Sequence, residues 1–526
     1  MAQLNARQKE RPFAPGSYPV VVVGSGPGGI QLSYSLGRLG VPHAVLSADE
    51  SAGGMFRKWP LFQRLLSWTK PFASPERASR TYERYDWNSL VADEPENRSL
   101  MPEFMDGSSS FPSRPEMEQN LVAFVDRSGI DVRFGCRWTG TRRESGPEGD
   151  EFVLETTDGE YRCRAAVFAV GIAEPFVPPS PGSELAVHYA GTRPAESYAG
   201  RRVFIVGKQN SGFELASGLL PWARQIVIAS PSPAKLSVNT KSLVGIRARY
   251  VQPYEDHVLG GGVAVLDAAI ERLEQTADGA ISVALRRTDG GGSLTFEVDD
   301  VIAATGFVAP LLDLPDLGVA VVGRSGLPAQ TPYWESATVP GIYFAGTISQ
   351  GARGLQKHGL PANSGAVHGA RYNARVLARH LAGTRFGVEP PAPAIDPAAL
   401  VDRLVEEATC SPELWHQKAY LAWVASRGND GAWRDEGVQP LAHVLDAPGP
   451  DALILTLEAN GDGAIYPVVY LRTAGVTEER VIEPDPFLDF SGPDQRRQFA
   501  EAVSAMAADR RDSRERLSSG KLAIDG

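Results

Sequence analysis

The stretch VVVVGSGPGGIQ, Val20 to Gln31, decides the fold. Tyr18 to Gly24 is an apolar run rich in valine, as a strand buried on both faces should be, and it runs straight into glycines. After the loop, Ile30, Leu32, Tyr34, Leu36 and Leu39 recur at helical spacing until Gly40, and His43 to Ser47 supplies a second strand. Strand, glycine turn, helix and strand open a parallel doubly wound α/β sheet. Within the loop, Gly24-Ser25-Gly26-Pro27-Gly28-Gly29 places each glycine where a dinucleotide needs it. Gly24 permits the turn, Gly26 lets backbone amides approach a pyrophosphate, and Gly29 lets helix and strand pack with the helix N-terminus facing negative charge. A glycine-rich turn without a ligand is the bland alternative, and the strand-to-helix context disfavours it.

A carboxylate for the ribose hydroxyls is expected about twenty residues on, yet the second strand ends in Ser47, with Asp49 and Glu50 just beyond. Gly53-Gly54-Met55-Phe56 is another close-approach turn, and Trp59, Phe62 and Trp68 follow as candidate walls for a flat ring system or as an aromatic core patch.

The pattern then returns, altered, as VFIVGKQNSGFE from Val203 to Glu214. Gly207-Lys208-Gln209-Asn210-Ser211-Gly212 keeps the turn glycine and the packing glycine but puts glutamine between them. A side chain there pushes a pyrophosphate outward or adds its own amide hydrogen bonds. The strand after it, Gln225 to Ala229, ends in Ser230 rather than an acid, with Lys235 and Lys241 downstream. That combination favours a 2'-phosphate, hence NADPH over NADH.

Order and spacing repeat around the two loops. Ser113-Arg114-Pro115-Glu116 reads as a capping box, FVLETTDGEYRCR as a hairpin about Asp158-Gly159, and AAVFAVG as a buried strand ending at Gly171. The second round has a hairpin about Asp289-Gly290 and then DDVIAATGF, Asp299 to Phe307. VPGIYFAGT and a helix over Ala362 to Leu381 return to the first sheet, so the second unit is inserted in the first. The expected division is a first dinucleotide domain over 1–195 and 300–386, a second over 196–299, a Pro-rich linker at 387–397, a small α+β appendage over 398–508 and a flexible tail at 509–526. Leu400 to Ser426 is helix-like.

Bulk properties narrow the function. The chain has 526 residues, several domains' worth, and 52 basic against 63 acidic residues, net -11, so no basic field exists to hold nucleic acid or an anionic membrane. Its apolar runs are shorter than a bilayer span and its polar start is unlike a signal peptide, which predicts a cytoplasmic protein. Cys136, Cys163 and Cys410 are widely separated, so the chain lacks the C-x-x-C of a dithiol-shuttling reductase. The 8 histidines show no metal-ligand spacing, and no metal is expected.

Two dinucleotide loops joined by strands ending in AVG and ATG resemble the two-dinucleotide-binding flavoproteins over roughly Tyr18 to Ala382. Within them, GSGPGG, AGGMF, GKQNSGFE, AATGF and FAGT resemble the FAD- and NADPH-dependent monooxygenases, both the flavin-containing type and the amino acid N-hydroxylases. KHGLPANSG, Lys357 to Gly365, is similar to the His-Gly-Leu segment of the N-hydroxylases, and FQRLLSWTK, Phe62 to Lys70, to their segment in which glutamine and lysine face the substrate. The resemblance implies FAD at the first loop, and cofactor contacts from Gly53, Gly54, Met55, Phe56, Trp59, Gln63, Gly171, Thr305, Gly306, Gly346, Thr347 and Leu360. It implies NADPH at Gly207 to Gly212 with Lys235, and Asn210, Lys70 and His358 as residues near the chemistry. The implied reaction is hydride transfer from NADPH to FAD, addition of dioxygen to give a C4a-hydroperoxyflavin, and oxygenation of a small nucleophile, an amine or amino acid. The tryptophan of a Baeyer–Villiger enzyme is absent ahead of the second loop.

Two other readings stay open: a reductase passing NADPH electrons through FAD to a partner protein, and a non-catalytic nucleotide-binding module. A homo-oligomer is compatible with either.

Overall fold

The computed structural model describes residues 11–59, 64–74, 76–146, 149–240, 245–257, 261–389 and 391–518. Val20–Val23 lies at the centre of a four-stranded parallel sheet ordered Ile342–Phe344, Ala165–Phe168, Val20–Val23, His43–Leu46. Alternate valines go to different cores. Val20 and Val22 join the cluster under the helices, whereas Val21 and Val23 join the one that carries Phe168 and Phe344. A strand with two buried faces needs apolar residues throughout, which is why these four show no polar alternation. The helix Pro27–Arg38 follows the loop and packs against the long return helix Val367–Phe386.

A second, seven-stranded sheet contains Arg202–Val206, Gln225–Ser230 and Val263–Gln275 in parallel, extended by the antiparallel strands Ile281–Arg287 and Ser293–Val298. Its strands lie in the chain between those of the first sheet, as expected for an insertion. The sheet reaches beyond the expected 196–299. Val187–His188 forms its edge, and Asp300–Ala303 pairs with Arg202–Val206 from Val203↔Asp300 to Val206↔Ala303. Asp300–Ala303 therefore sits in the second sheet and only the chain after it returns to the first.

The capping box forms as the sequence predicts. The Ser113 hydroxyl accepts from the Glu116 amide at 3.4 Å and the Glu116 carboxylate accepts from the Ser113 amide at 2.6 Å, opening the helix Arg114–Ser128.

The C-terminal region is a six-stranded sheet from Ala394–Ile395 to Val476–Val481, antiparallel throughout, with the helices Leu400–Cys410 and Pro493–Ser518. The expected helix over 400–426 breaks at Ser411-Pro412, because proline disfavours helical geometry in the residue before it. Leu421–Arg427 is instead a central strand, buried along almost its whole length. The final helix continues past Ala508, where a flexible tail was expected, to Ser518. This region is not detached from the rest: Trp423, Leu455, Phe490 and Phe499 pack in one apolar cluster with Val20, Val22, Leu36 and Leu377. Among the described residues no helix is long and apolar enough to cross a membrane.

Candidate functional site

The two glycine loops are the same backbone object built twice. Gly24 and Gly207 have φ 117° and 115°, and each donates its amide to the end of the neighbouring strand, to Leu46 O at 2.7 Å and Ala229 O at 2.8 Å. A Cβ on Gly24 would stand 2.5 Å from Ala169 O, and one on Gly207 2.4 Å from Ala304 O. A Cβ on Gly29 or on Gly212 would stand 2.0 Å from the carbonyl of Gly24 or Gly207, so the helix approaches its own turn only through glycine. The middle position differs. Around Gly26 a Cβ meets nothing within 4 Å, whereas Gln209 projects an exposed side chain from the equivalent N-cap.

Around the first loop the fold gathers most of the expected residues. Gly28 lies against Gly346, where an added Cβ would be 2.3 Å from the Gly346 Cα. Gly54 reaches over the loop, its Cβ position 3.0 Å from the Gly26 Cα, and the Gly53 amide donates to Ser25 O at 3.1 Å. Met55 Sδ stands 3.7 Å from a Cβ on Gly171. Pro27 opens the helix, and Thr347 follows Gly346 in the tight turn Gly346–Gly351. Phe56 packs on the core beside Met101 and Phe124. The Ser25 and Ser47 hydroxyls share a hydrogen bond of 2.7 Å, so the expected carboxylate position is filled by a buried serine pair. Gln63, Phe62 and Lys241 lie outside the described residues.

Where the two units meet, Trp59 sets its ring edge-on to Phe307 at 5.2 Å, and Phe307 meets His188 at 5.0 Å. His188 Nε2 donates to Gly306 O at 2.9 Å, and the Thr305 hydroxyl donates to Phe176 O. The second loop has its own charge pair: Lys208, buried, with Asp267 on Val263–Gln275, the strand next but one to Arg202–Val206. Ser211 follows Asn210 in the first helical turn, and Lys235 is exposed. Asn210 pins the segment beyond. Its Nδ2 donates to Gly245 O at 3.1 Å and its Oδ1 accepts from the Arg247 amide at 3.0 Å. Arg249 then donates to Arg64 O at 2.8 Å, tying this segment to the Phe62 to Lys70 stretch.

Lys70 ends that stretch with its ammonium 5.1 Å from the Trp68 ring centre. From there a wall of rings continues: Trp68 to Trp87 at 4.5 Å, Trp87 to Trp415 at 5.7 Å, and Lys418 Nζ 4.9 Å from the Trp415 ring. His368, in the first turn of the return helix, lies 4.5 Å from Trp87 and 4.9 Å from His416. The three indoles are half-buried, whereas His368 and His416 are at most 1% exposed.

The polar atoms of this wall are incompletely matched. Among the described residues both ring nitrogens of His368, Nδ1 of His416, Nε1 of Trp415 and Nε of Arg247 have no hydrogen-bond partner. Burial, with the charges of Arg371, Lys418 and Arg247 added, holds His368 well below the usual histidine range. Burial brings Lys418 down to about 8. Neither Lys418 nor Arg247 has a carboxylate partner among the described residues, and the Lys418 ammonium donates to Trp415 O at 2.6 Å.

His358 does not join this group. Its exposed ring shares a hydrogen bond of 2.9 Å with the Tyr466 hydroxyl, and Lys357 pairs with buried Glu458 at 3.2 Å and with Glu479 at 2.7 Å. These anchors hold the Lys357 to Leu360 segment, with Leu360 half-buried, to the C-terminal sheet. Trp87, Arg247, His368, Trp415, His416 and Lys418 were not picked out from sequence. The one local signal is the run Trp415-His416-Gln417-Lys418, chemically dense but lying inside a stretch whose pattern is helix-like.

Residues 21–346 match the family described as pyridine nucleotide-disulphide oxidoreductase. The mouse protein "FAD-dependent oxidoreductase domain-containing protein 2" is 25% identical over 432 residues, 76% of this chain and 63% of that protein. "Probable indole-3-pyruvate monooxygenase YUCCA4" of Arabidopsis thaliana is 22% identical over 395 residues, 65% of this chain and 87% of its own. Among solved structures, the bacillithiol disulfide reductase of Staphylococcus aureus superposes with TM-score 0.54 at 16% identity, covering 70% of this chain and 99% of that one. The ornithine N-hydroxylase of Kutzneria sp. 744 gives 0.53 at 16% identity, with 70% and 99% covered. The fold is theirs: two dinucleotide-binding units, the second inserted in the first. The open approach above Gly26, at a helix N-terminus with no side chain in the way, fits a dinucleotide pyrophosphate. The chain spans less than two thirds of the length of the mouse relative; with a match over more than half of its own length, it belongs to the pyridine nucleotide-disulphide oxidoreductase family, with FAD and NADPH as its cofactors.

Proposed function

We propose that the chain is an FAD- and NADPH-dependent monooxygenase that oxygenates a small nucleophilic substrate between its two nucleotide units, by N-hydroxylation of an amine or amino acid. FAD belongs at Gly24 to Gly29 and NADPH at Gly207 to Gly212. Bound FAD, reduced by NADPH, supplies the activation of dioxygen. The observation that carries the reading is a double cradle in a chain whose three cysteines form no pair able to relay electrons. Cys136 and Cys163 are buried, and burial raises both thiols above their ordinary range, leaving them inert as nucleophiles. The reducing equivalents then have oxygen and a small molecule as their outlet.

The protein's own part is to exclude water and orient the substrate. Asn210 fixes the segment carrying Arg247 against the second loop, and the half-buried indoles offer an apolar face on which to seat a small molecule. An amine must react as its free base, and seating it against the apolar faces of the indoles lowers its pKa by desolvation. NADPH and dioxygen consumption by the purified holoenzyme, followed with a panel of amino acids and amines, tests this. A substrate should raise turnover while suppressing peroxide release, with one hydroxylated product per NADPH. Turnover only when a protein electron acceptor is supplied, with no oxygenated product, would replace this reading with the partner-linked reductase.

A further inference from the structure

The wall of rings described above has a cation at each end and a third beside it. Lys70 caps Trp68, Lys418 caps Trp415, and the charge of Arg247 falls with that of Lys418 on His368 between them. Lys70 is exposed, but Lys418 and Arg247 are half-buried, and cations held so are costly unless an anion answers them. Among the described residues none does: neither Lys418 nor Arg247 has a carboxylate at ion-pair distance, Arg247 Nε is unpartnered, and His368 is buried with both ring nitrogens free. Other buried charges are answered by carboxylates, as where Arg80 meets Glu407 at 2.9 Å and Glu413 at 3.0 Å or Lys357 meets Glu458, or by several backbone carbonyls, as at Arg472. Here, among the described residues, two cations without a carboxylate stand beside three half-buried indoles.

We propose that this wall is the substrate-binding surface and that it selects a carboxylate on a flat apolar body, with the C-terminal region supplying the selectivity through Lys418 and Trp415. The proposal rests on the oxygenase reading for the word substrate, but its binding chemistry stands apart from turnover. The indoles of Trp68, Trp87 and Trp415 take the flat body by stacking. The carboxylate takes a charge-assisted hydrogen bond from the Lys418 ammonium, which stands over the Trp415 ring, and the charge of Arg247 adds to the positive potential there. The dinucleotide-binding units alone lack half of this surface, because Trp415 to Lys418 come from the chain beyond residue 346, where the family match ends.

The probes are 2-naphthylacetate and its neutral amide, 2-naphthylacetamide, titrated into the holoenzyme and followed by tryptophan fluorescence and flavin absorbance. The acid should bind about ten- to a hundredfold more tightly, the range of a charge-assisted hydrogen bond. Lys418→Met should remove that preference, leaving amide affinity and FAD content unchanged, and Lys418→Arg should restore it. Equal binding of acid and amide to the wild-type protein overturns the proposal without need of any variant. So does an unaltered preference in Lys418→Met. Loss of FAD in that variant also overturns it, since the wall would then be a cofactor surface. NADPH-driven oxygen consumption measured on the same wild-type sample reports separately on the oxygenase reading.

Discussion

Gly26→Ala and Gly28→Ala place the same methyl group two residues apart with opposite expected consequences. At Gly26 the backbone has φ -75° and ψ 177°, which any residue adopts, and the new Cβ touches nothing within 4 Å. The fold should therefore be unharmed, or gain about 0.4–1 kcal/mol from a less flexible unfolded chain. The methyl nevertheless stands where backbone amides must reach a pyrophosphate. Loss of even one charge-assisted hydrogen bond, about 1.5–3 kcal/mol, weakens FAD by roughly ten- to a hundredfold. At Gly28 the methyl falls 2.3 Å from the Gly346 Cα, a backbone atom that cannot swing aside. The cost is about 1–3 kcal/mol of overpacking, present with or without cofactor. Urea denaturation of the two apoproteins and titration of each with FAD separate these effects. Gly26→Ala should keep apoprotein stability and lose FAD affinity, whereas Gly28→Ala should lose stability. If Gly26→Ala binds FAD as tightly as the wild type, the first loop is not where the pyrophosphate sits.

Replacing Gln209 with glycine removes an exposed side chain from the second loop, and the NADPH KM should rise about tenfold if its amide holds a phosphate, with FAD content untouched. An unchanged KM removes Gln209 from the cofactor contact, and loss of FAD would mean the two loops are assigned the wrong way round. His380 stacks on Tyr333 at 3.9 Å, and burial lowers it from 6.5 to about 4, so the unfolded chain takes up its proton first and stability present above pH 6.5 is lost as pH falls toward 4. The contribution is at most ~3 kcal/mol, less for a partly exposed ring, and His380→Phe should flatten that part of the urea-stability profile; an unaltered profile refutes it.

What could be read from the chain was local. Val20 to Gly40 shows its strand, turn and helix within twenty residues, and the glycines record contacts with their own neighbours, such as Gly29 on Gly24. The wall of rings draws on positions 68, 87, 368 and 415–418, brought together only by the folded core, so no window contains it. Leu421–Arg427 misled for a related reason: a strand buried on both faces has no polar alternation and reads like a buried helix. His358 stands apart from the wall for a different reason. Its short segment matches a family pattern, but buried Glu458, a hundred residues away in sequence, draws the adjoining Lys357 to the C-terminal sheet.

The paired loops also separate glycines the protein needs from one that only a ligand needs. Gly24, Gly29, Gly207 and Gly212 are demanded by the fold itself, since a Cβ on any of them would stand 2.0 to 2.5 Å from a backbone carbonyl oxygen. They would be glycines in an empty protein. Gly26 is under no such demand: its backbone conformation is ordinary and the space beside it is open. A glycine there costs flexibility on folding and returns nothing to the fold, so its reason lies in what approaches it. At the equivalent point of the second loop that demand is relaxed, and Gln209 stands in its place with the surrounding backbone preserved. One cradle thus admits a pyrophosphate into contact with its backbone, and the other meets its ligand through a side chain that can move. Tight retention follows from the first geometry and exchange from the second, the division of labour that a resident FAD and a reacting NADPH require.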